Sequence, residues 1–398
     1  MKSFYTVLFL SLYGTVAVAQ TDTSAYRAKA VEIQKQYAPD KRAIYFNLQL
    51  KGDSAKLEST SKKVLDEFER VRPQASSLKF SAVLLPAKEL NGFEYGVANL
   101  SVCNNRAHPQ NAAELLTQML LGTPVKVFKK QGGFYLVQTP DGYLSWVDSS
   151  AIGLMDKAQF DAWQKASKIV FVADYGHSYS EANVSSKRVS DLVSGNILQL
   201  LGQEKDFYKV SYPDGRIAYL PQAQAKLYSQ WIKRPNPNAD AILATAQTLL
   251  GVPYLWGGTS IKGVDCSGFT KTAYFLNGIV IPRDASQQAL VGDPVDVLEN
   301  DNISLAKCLN NLQPGDLLFF SAAKRRGIHG GRVTHTAIYM GNGQFIQSAG
   351  MVKINSLVPT AADYDAQSST LVGARRLLNE IGKPEITRID QHDWYGKN

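Results

Sequence analysis

The sequence passes from loop to helix within one stretch, Gly251-Val-Pro-Tyr-Leu-Trp-Gly-Gly-Thr-Ser-Ile-Lys-Gly-Val-Asp-Cys-Ser-Gly-Phe-Thr-Lys271. Its glycines and its proline interrupt regular structure in the first half. Asp265 then provides an N-cap for a helix whose apolar residues, beginning with Phe269, recur on one face. Cys266 is therefore predicted to lie at a helix N-terminus.

A lone cysteine is ordinarily a small buried residue. At a helix N-terminus, however, the unpaired N–H groups and the positive end of the dipole favour the thiolate of Cys266. The thiolate is the form that attacks a carbonyl carbon, and the same N–H groups can hold the resulting oxyanion. This position predicts a nucleophile.

A second motif further along the chain supplies a base, Arg332-Val-Thr-His-Thr-Ala-Ile-Tyr-Met-Gly-Asn-Gly-Gln-Phe-Ile-Gln-Ser348. His335 lies on a β-branched and aromatic run, which predicts a strand, and Gln347 lies on the next strand. His329, in a glycine-rich loop, is the rival base, although a solvated loop residue is its ordinary role. A core histidine is the ordinary alternative for His335.

The geometry of this hairpin places the two polar side chains. A three-residue loop over 341–343 pairs Met340 with Gln344. In that register His335 and Gln347 are diagonal neighbours on one face, so Gln347 can orient the imidazole.

These motifs together resemble the NlpC-type cell-wall cysteine peptidases, papain-like enzymes that cut peptidoglycan stem peptides. The resemblance implies an α+β papain-like catalytic domain that needs no cofactor and no metal. Five motifs carry it, in the order of the family: Tyr254-Leu-Trp-Gly-Gly, Asp265-Cys-Ser-Gly-Phe, Pro282-Arg-Asp-Ala-Ser-Gln-Gln, Leu312-Gln-Pro-Gly-Asp-Leu-Leu-Phe-Phe and His335-Thr-Ala-Ile-Tyr-Met-Gly-Asn-Gly.

The resemblance implies a catalytic role for four residues. Cys266 attacks, His335 transfers the proton, Gln347 orients His335 and Tyr254 lies beside the oxyanion. Most relatives have a histidine where this chain has Gln347, and a neutral amide stabilises imidazolium less than a charged partner does.

The resemblance also implies residues that contact the substrate. Without the resemblance, Trp256 would be interpreted as a core aromatic and Asp265 only as an N-cap. Arg283 and Asp284 would be interpreted as an ion pair within a turn. Asp265 could both cap the helix and bind a substrate ammonium group. Ala285 replaces the usual serine of the family. The set comprises Trp256, Asp265, Ser267, Arg283 and Asp284.

An internal repeat precedes the catalytic region, with residues of the first copy recurring 73 positions later, as Phe134 does at Phe207. Short strands between Gly and Pro-Asp-Gly turns predict two small β-barrels, which resemble bacterial SH3-like domains. Related two-barrel peptidases use the first barrel to admit only stem peptides with a free N-terminal L-alanine. Glu114 and Tyr143 occupy the corresponding positions here, although a solvated charge and a surface tyrosine are equally ordinary interpretations.

The chain of 398 residues is long enough for several domains. A short apolar run before Ala17-Val-Ala19 reads as a secretory signal cleaved after Ala19. The predicted domains are a signal peptide (1–19), a mixed N-terminal segment (20–85), a first barrel (86–155), a second barrel (156–232), a peptidase domain (233–380) and a C-terminal tail (381–398).

Composition and charge limit the classes of binding partner that we expect for this protein. Lys and Arg number 43 and Asp and Glu 35, a balance that suits anionic wall polymers but equally an ordinary solvated surface. The export signal disfavours nucleic acid, and no later stretch is apolar enough to span a membrane, so we expect a periplasmic or extracellular protein. Cys103 and Cys308 are either free buried thiols or a disulfide.

The resulting hypothesis is a cysteine endopeptidase that hydrolyses the γ-D-glutamyl-L-diamino acid bond of peptidoglycan stem peptides. The alternatives are a non-catalytic wall-binding protein and a thioester-forming amidase or acyltransferase. Gly-x-Ser-x-Gly and His-Glu-x-x-His are absent from the sequence, which argues against a serine hydrolase or a zinc protease carrying those motifs.

The first prediction concerns the nucleophile. Substitution Cys266→Ala should lower turnover by roughly a thousandfold or more, because no other group forms the thioester. Turnover of a defined stem peptide, followed by mass spectrometry, checks it, and circular dichroism verifies the fold. Hydrolysis retained by Cys266→Ala would eliminate the thioester mechanism.

Overall fold

A computed structural model describes residues 12–74, 76–233, 235–324 and 332–396, with the backbone alone described for residues 12–21. The chain forms two compact units, Met1–Asn91 and Gly92–Asn398. Most of the predicted signal peptide lies outside the described residues, as does His329. Among the residues described, no helix is both long enough and apolar enough to cross a membrane.

The first unit packs two helices against a three-stranded sheet in the order β1-β2-β3, with β1 antiparallel and β3 parallel to β2. The side chains of Tyr26, Leu57 and Phe68 fill its core. Its elements are α1 Leu12–Tyr37, β1 Phe46–Lys51, β2 Ser54–Ser59, α2 Lys62–Val71 and β3 Lys79–Leu84.

One sequence pattern in this unit was misleading. The apolar pattern over residues 54–71 predicts a single helix, but its first six residues form β2. Ala55 and Leu57 are buried at the two-residue spacing of a strand. The helix begins only after Ser61, whose hydroxyl accepts a hydrogen bond from the N–H of Val64.

The second unit begins with a seven-stranded sheet in the order β10-β4-β7-β8-β9-β5-β6. Helix α3, capped by Asp156, follows it. The elements are β4 Tyr95–Ala98, β5 Val102–Arg106, β6 Leu115–Leu120, β7 Pro124–Gln131, β8 Phe134–Gln138, β9 Leu144–Asp148, β10 Ile152–Met155 and α3 Lys157–Lys165.

A second seven-stranded sheet repeats the first. Its order, β13-β12-β16-β15-β14-β11-β17, is the first order read backwards with each strand replaced by the one seven places later. Each of its strands begins 73 residues after its counterpart. The elements are β11 Lys168–Phe171, β12 Tyr175–Tyr179, β13 Arg188–Val193, β14 Ile197–Glu204, β15 Phe207–Ser211, β16 Ile217–Pro221, β17 Ala225–Leu227 and α4 Tyr228–Ile232.

The remaining residues build helices around an antiparallel sheet. Asn238, not Asp240 as the sequence predicts, caps its first helix. The elements are α5 Ala239–Thr248, β18 Thr259–Ser260, β19 Gly263–Val264, α6 Cys266–Phe275, β20 Ile279–Val280, α7 Ala285–Gln288, β21 Asp293–Val295, β22 Leu298–Glu299, β23 Asn302–Ile303, α8 Leu305–Asn311, β24 Leu317–Phe320, β25 His335–Gly341, β26 Gln344–Ala349, β27 Met351–Ser356, β28 Leu371–Arg376 and β29 Thr387–Arg388.

The main sheet has six strands in the order β21-β28-β24-β25-β26-β27. The sequence predicts strands over residues 316–320, 334–340, 344–348 and 371–376, which correspond to β24, β25, β26 and β28, whereas β21 and β27 are not predicted. Alternate residues of β24 enter different cores: Leu317 packs with α5 and α6, and Leu318 packs with Cys308 of α8. Burial on both faces explains why these strands read as continuous apolar runs.

A shared apolar cluster joins the parts of the second unit. Trp231 of α4 and Phe275 of α6 meet there with Ile197 of β14 and Leu120 of β6. The chain returns to this cluster near its end, where Tyr395 is buried. Gln164 of α3 holds the end segment by donating to the carbonyls of residues 393 and 394. The described part of the predicted C-terminal tail, residues 381–396, is therefore a packed segment.

Burial also determines the protonation state of two of the three cysteines. Cys103 and Cys308 are free and fully buried, as one of the two alternatives holds. Burial raises the pKa of each thiol to about 11, so both stay protonated at neutral pH.

The second prediction follows from this packing. Substitution Tyr395→Ala should lower the free energy of unfolding of the protein by about 3 kcal/mol, because it leaves a cavity in the shared cluster. Tyr175→Ala is the matched control: Tyr175 is 54% exposed, and its loss should cost about 0.5 kcal/mol or less. Urea unfolding monitored by fluorescence measures both. Equal midpoints for the two variants would refute the tail's packing role.

Candidate active site

Cys266 is the first residue of α6, as predicted. Asp265 caps the helix through a hydrogen bond of 2.6 Å from the N–H of Gly268. A side chain at Gly268 would come within 1.9 Å of the carbonyl oxygen of Gly258, so glycine is required for the loop to approach the helix this closely. The sulfur is nearly enclosed, since Cys266 is only 7% exposed.

The carboxylate of Asp265 organises the surroundings of the nucleophile. It also accepts a hydrogen bond of 2.8 Å from the N–H of Gly257. Arg283 binds it through both terminal nitrogens, at 3.0 and 2.6 Å, and is itself 1% exposed. The remaining donor of Arg283, Nε, reaches Thr117 of β6 at 2.8 Å. One ion pair thus connects the nucleophile helix, its preceding loop and the first seven-stranded sheet.

This network gives a structural role to three of the residues that are predicted to contact substrate. Asp265 and Arg283 satisfy each other within the protein, and Ser267 is buried with its hydroxyl accepting from Arg283 at 2.9 Å. The contact of Asp265, Ser267 and Arg283 with substrate stays a prediction, beside the hydrogen bonds that the three residues make with one another. Their geometry gives them the task of fixing the position of the helix that carries Cys266.

The electrostatics at Cys266 oppose the prediction of a stable thiolate. Burial and the negative charge of Asp265 raise the pKa of the Cys266 thiol to about 12. The N–H groups of Thr336 and Ser267, together with the charge of Arg283, act in the opposite direction but do not prevail. These effects favour the protonated thiol, so a nearby base is needed to assist its ionisation.

His335 and Gln347 lie together as the hairpin geometry predicts. Nε2 of His335 is 2.7 Å from Oε1 of Gln347, and Gln347 is completely buried. The thiol of Cys266 is adjacent to the backbone of Thr336, which follows His335 on β25. The nucleophile and the imidazole thus come from facing elements, α6 and β25.

The predicted register between β25 and β26 is correct except at the turn. Ile338 pairs with Ile346 and Tyr339 with Phe345, as a loop over 341–343 requires. Gly341 rather than Met340 pairs with Gln344, because Met340 forms a bulge and the loop shortens to two residues.

Gln347 has two further partners that the sequence did not reveal. Its Nε2 donates to Oδ1 of Asn355 and to Oδ2 of Asp365, each at 2.9 Å. Asn355 lies on β27, and Asp365 lies in the loop that follows. No recognised motif covers either residue, and the polar character of the segment was the only signal available.

Tyr254 lies at the other side of the nucleophile. Its backbone bridges to Val264, two residues before Cys266, and the residue is half buried. Burial first, and then the charge that Cys266 acquires on ionisation and the charge of Asp265, raise the pKa of Tyr254. The hydroxyl therefore keeps its proton and can donate a hydrogen bond to an oxyanion.

Two more contacts near this site connect the peptidase part with residues that immediately precede β6 and β9 of the first seven-stranded sheet. Nε1 of Trp256 donates to a carboxylate oxygen of Glu114 at 3.0 Å, and both side chains are exposed. The hydroxyl of Tyr143 donates to Oδ2 of Asp284 at 3.2 Å. Tyr143 is buried, so the interpretation as a barrel-surface tyrosine is wrong.

Comparison with known proteins assigns the fold. Residues 251–370, which contain Cys266, His335 and Gln347, match the NlpC/P60 family, and residues 105–152 match the bacterial dipeptidyl-peptidase SH3 domain. A γ-D-glutamyl-L-lysine dipeptidyl-peptidase of Bacillus cereus is 33% identical over 67% of this chain and 77% of its own length. The chain belongs to the NlpC/P60 family. The enzyme of the same name from Bacillus subtilis is 30% identical over 66% of the chain and 81% of its own length.

Solved structures agree with this assignment. A crystal structure of an NlpC/P60 family protein from Bacillus cereus superposes with a TM-score of 0.57 and 26% identity, covering 71% of this chain and 99% of that one. The family resemblance is therefore confirmed, together with the multidomain organisation of an SH3 domain followed by an NlpC/P60 domain.

The third prediction separates the base from its orienter. His335→Ala should be as damaging as loss of Cys266, whereas Gln347→Ala should lower kcat by roughly ten- to a hundredfold, since an orienting group contributes less than the base. Gln344→Ala, on the same strand but hydrogen-bonded to Asp363, is the control and should be near wild type. Steady-state kinetics measures all three. An active His335→Ala together with an inactive His329→Ala would transfer the role of base to the loop.

Proposed function

We propose that this peptidase hydrolyses the bond between γ-D-glutamate and the following L-diamino acid in peptidoglycan stem peptides that carry a free N-terminal L-alanine. The proposal rests above all on one observation, a thiol at a helix N-terminus facing the hairpin of β25 and β26 that carries the hydrogen-bonded His335 and Gln347. The names of the two Bacillus relatives, which specify γ-D-glutamyl-L-lysine, support the bond.

The chemistry proceeds in two steps. His335 removes the proton from the thiol as Cys266 attacks the γ-carbonyl carbon, and the N–H of Cys266 with the hydroxyl of Tyr254 stabilises the oxyanion. The imidazolium then gives its proton to the departing amine of the diamino acid, leaving a thioester. Water, activated by the same imidazole, hydrolyses the thioester and restores the thiol.

The contacts at the first sheet support selection of a free N-terminus. An α-ammonium group is favoured next to carboxylates, and Glu114 and Asp284 provide two from opposite sides of the boundary. Asp265, considered for this role from the sequence, is already neutralised by Arg283. Trp256 and Tyr143 hold the two carboxylates in place. Acylation removes the charge of the amine and adds bulk, so acylated peptides are rejected.

The wider setting is also part of the proposal. We take the second seven-stranded sheet for another SH3-like barrel, because its strands repeat the order and spacing of the first, and the catalytic part for a papain-like domain. We further propose export through the signal 1–19 to the periplasm or the exterior, where wall peptides are present.

Two rival functions remain distinguishable by experiment. A non-catalytic wall-binding protein would not need the His335–Gln347 pair, because burying the polar side chain of Gln347 costs free energy. An amidase or acyltransferase would use the same thioester but pass the acyl group to an amine. Product masses separate hydrolysis from transfer.

The fourth prediction tests the selection of the N-terminus. Glu114→Gln keeps an acceptor for Trp256 but removes the charge, so kcat/KM for free L-Ala-γ-D-Glu-L-Lys should fall by about ten- to a hundredfold. Hydrolysis of the N-acetylated peptide should be slow in both proteins. Glu204→Gln, an exposed glutamate of the second sheet, is the control. Equal cleavage of free and acetylated peptide by the wild type would exclude selection by Glu114.

A further inference from the structure

The amide of Gln347 has an orientation that the surrounding groups determine. A carboxylate only accepts hydrogen bonds, so the end of the amide that faces Asp365 must be the NH2 group. The opposite end, Oε1, therefore faces His335 at 2.7 Å. Because Oε1 only accepts, Nε2 of His335 must carry the hydrogen. In the neutral ring this leaves Nδ1 as the nitrogen that takes up a proton.

We propose that Asp365 is a positioning residue of the catalytic apparatus, which acts on His335 through Gln347 and makes the imidazole a stronger base. The carboxylate polarises the amide by accepting from its NH2 group, and the polarised carbonyl oxygen becomes a better acceptor for the N–H of the imidazole. Hydrogen bonds with an ionised partner are roughly twice as strong as neutral ones. The effect is largest when the ring is imidazolium.

The arrangement compensates for the neutral third residue. Gln347 carries no charge, yet through Asp365 its amide is connected to one. Asn355 takes the other N–H of the same amide, which fixes the orientation without adding charge. Asp365 is itself held because its other oxygen accepts from the N–H of Gln367 at 2.8 Å. The buried thiol needs a strong base, and this connection contributes to one.

Other ionisable groups surround the pair and set the background. Lys353 is directly opposite Gln347 on β27, and Asp363 lies in the same loop as Asp365. The remaining groups lie on the segments that carry α6 and α7 and on the loop before α6, and they are Cys266, Asp265, Arg283, Asp284 and Tyr254. Substituting Asp365 leaves all of them in place, so a change in pH dependence reports on this carboxylate.

The test uses alkylation of Cys266 by chloroacetamide, measured between pH 4 and pH 10 by mass spectrometry of the intact full-length protein. This proposal rests on the proposed function, but alkylation needs no substrate, so it can succeed or fail independently of the reaction assigned above. The imidazole must be unprotonated to accept the proton of the thiol, so the acid limb of the profile reports protonation of the imidazole.

Asp365→Asn should lower the plateau rate about fivefold and move the acid limb by about 0.7 pH unit to lower pH. The two changes are linked because both measure the proton affinity of the imidazole. Asp363→Asn also removes a negative charge from this loop, but it leaves the hydrogen bond between Asp365 and Gln347 intact. This variant should therefore leave the profile unchanged. An unmoved acid limb in Asp365→Asn, or an equal shift in Asp363→Asn, would overturn the proposal.

Two further variants separate the connection from direct electrostatics and from folding. Adding Asp365→Asn to Gln347→Ala should cause no additional shift, because the amide that transmits the effect is gone. A full additional shift would mean that the charge acts through space, and the proposed connection would be wrong. Asn355→Ala should lower the plateau without moving the limb. Thermal unfolding of each variant identifies any loss of structure, which would affect rates at every pH equally.

Discussion

The buried pair between Asp265 and Arg283 is the interaction on which the arrangement of the active site depends. The carboxylate of Asp265 caps the nucleophile helix and accepts a hydrogen bond from the N–H of Gly257 in the preceding loop. It also neutralises the guanidinium of Arg283, which extends to Thr117 of the neighbouring sheet. Removing one partner of such a pair leaves an uncompensated buried charge, which typically costs 3–5 kcal/mol. The position of Cys266 is therefore coupled to that of the first sheet.

The same pair has an electrostatic cost for catalysis. Burial of the sulfur and the charge of Asp265 beside it raise the pKa of the Cys266 thiol, and the N–H groups of Thr336 and Ser267 with the charge of Arg283 only partly offset this. Positional precision is obtained at the expense of nucleophile ionisation. His335 on β25, together with Gln347, must therefore contribute more to removing the proton of the thiol than in a site with a preformed thiolate.

Sequence reasoning succeeded where local pattern determines structure. The N-cap at Asp265, the helix from Cys266 and the pairing of Ile338 with Ile346 follow from short-range rules of turns and alternation. It failed where a residue far away in the sequence determines the secondary structure or the hydrogen-bond partner. The pairing of β2 with β3 overrides a helical pattern, and nothing near Asp365 indicates that its carboxylate meets an amide 18 positions earlier. Arg283 lay in a recognised motif, yet only tertiary packing shows which carboxylate it binds.

The constant spacing between the two seven-stranded sheets has a consequence for folding. Since corresponding strands begin at the same interval, a strand of one copy has a length and position that suit the slot of its counterpart. Adjacent repeats of this kind are prone to exchange strands and become trapped during folding. Divergence of side chains, such as tyrosine at position 143 against arginine at 216, makes the wrong partner a poorer fit and favours correct assembly.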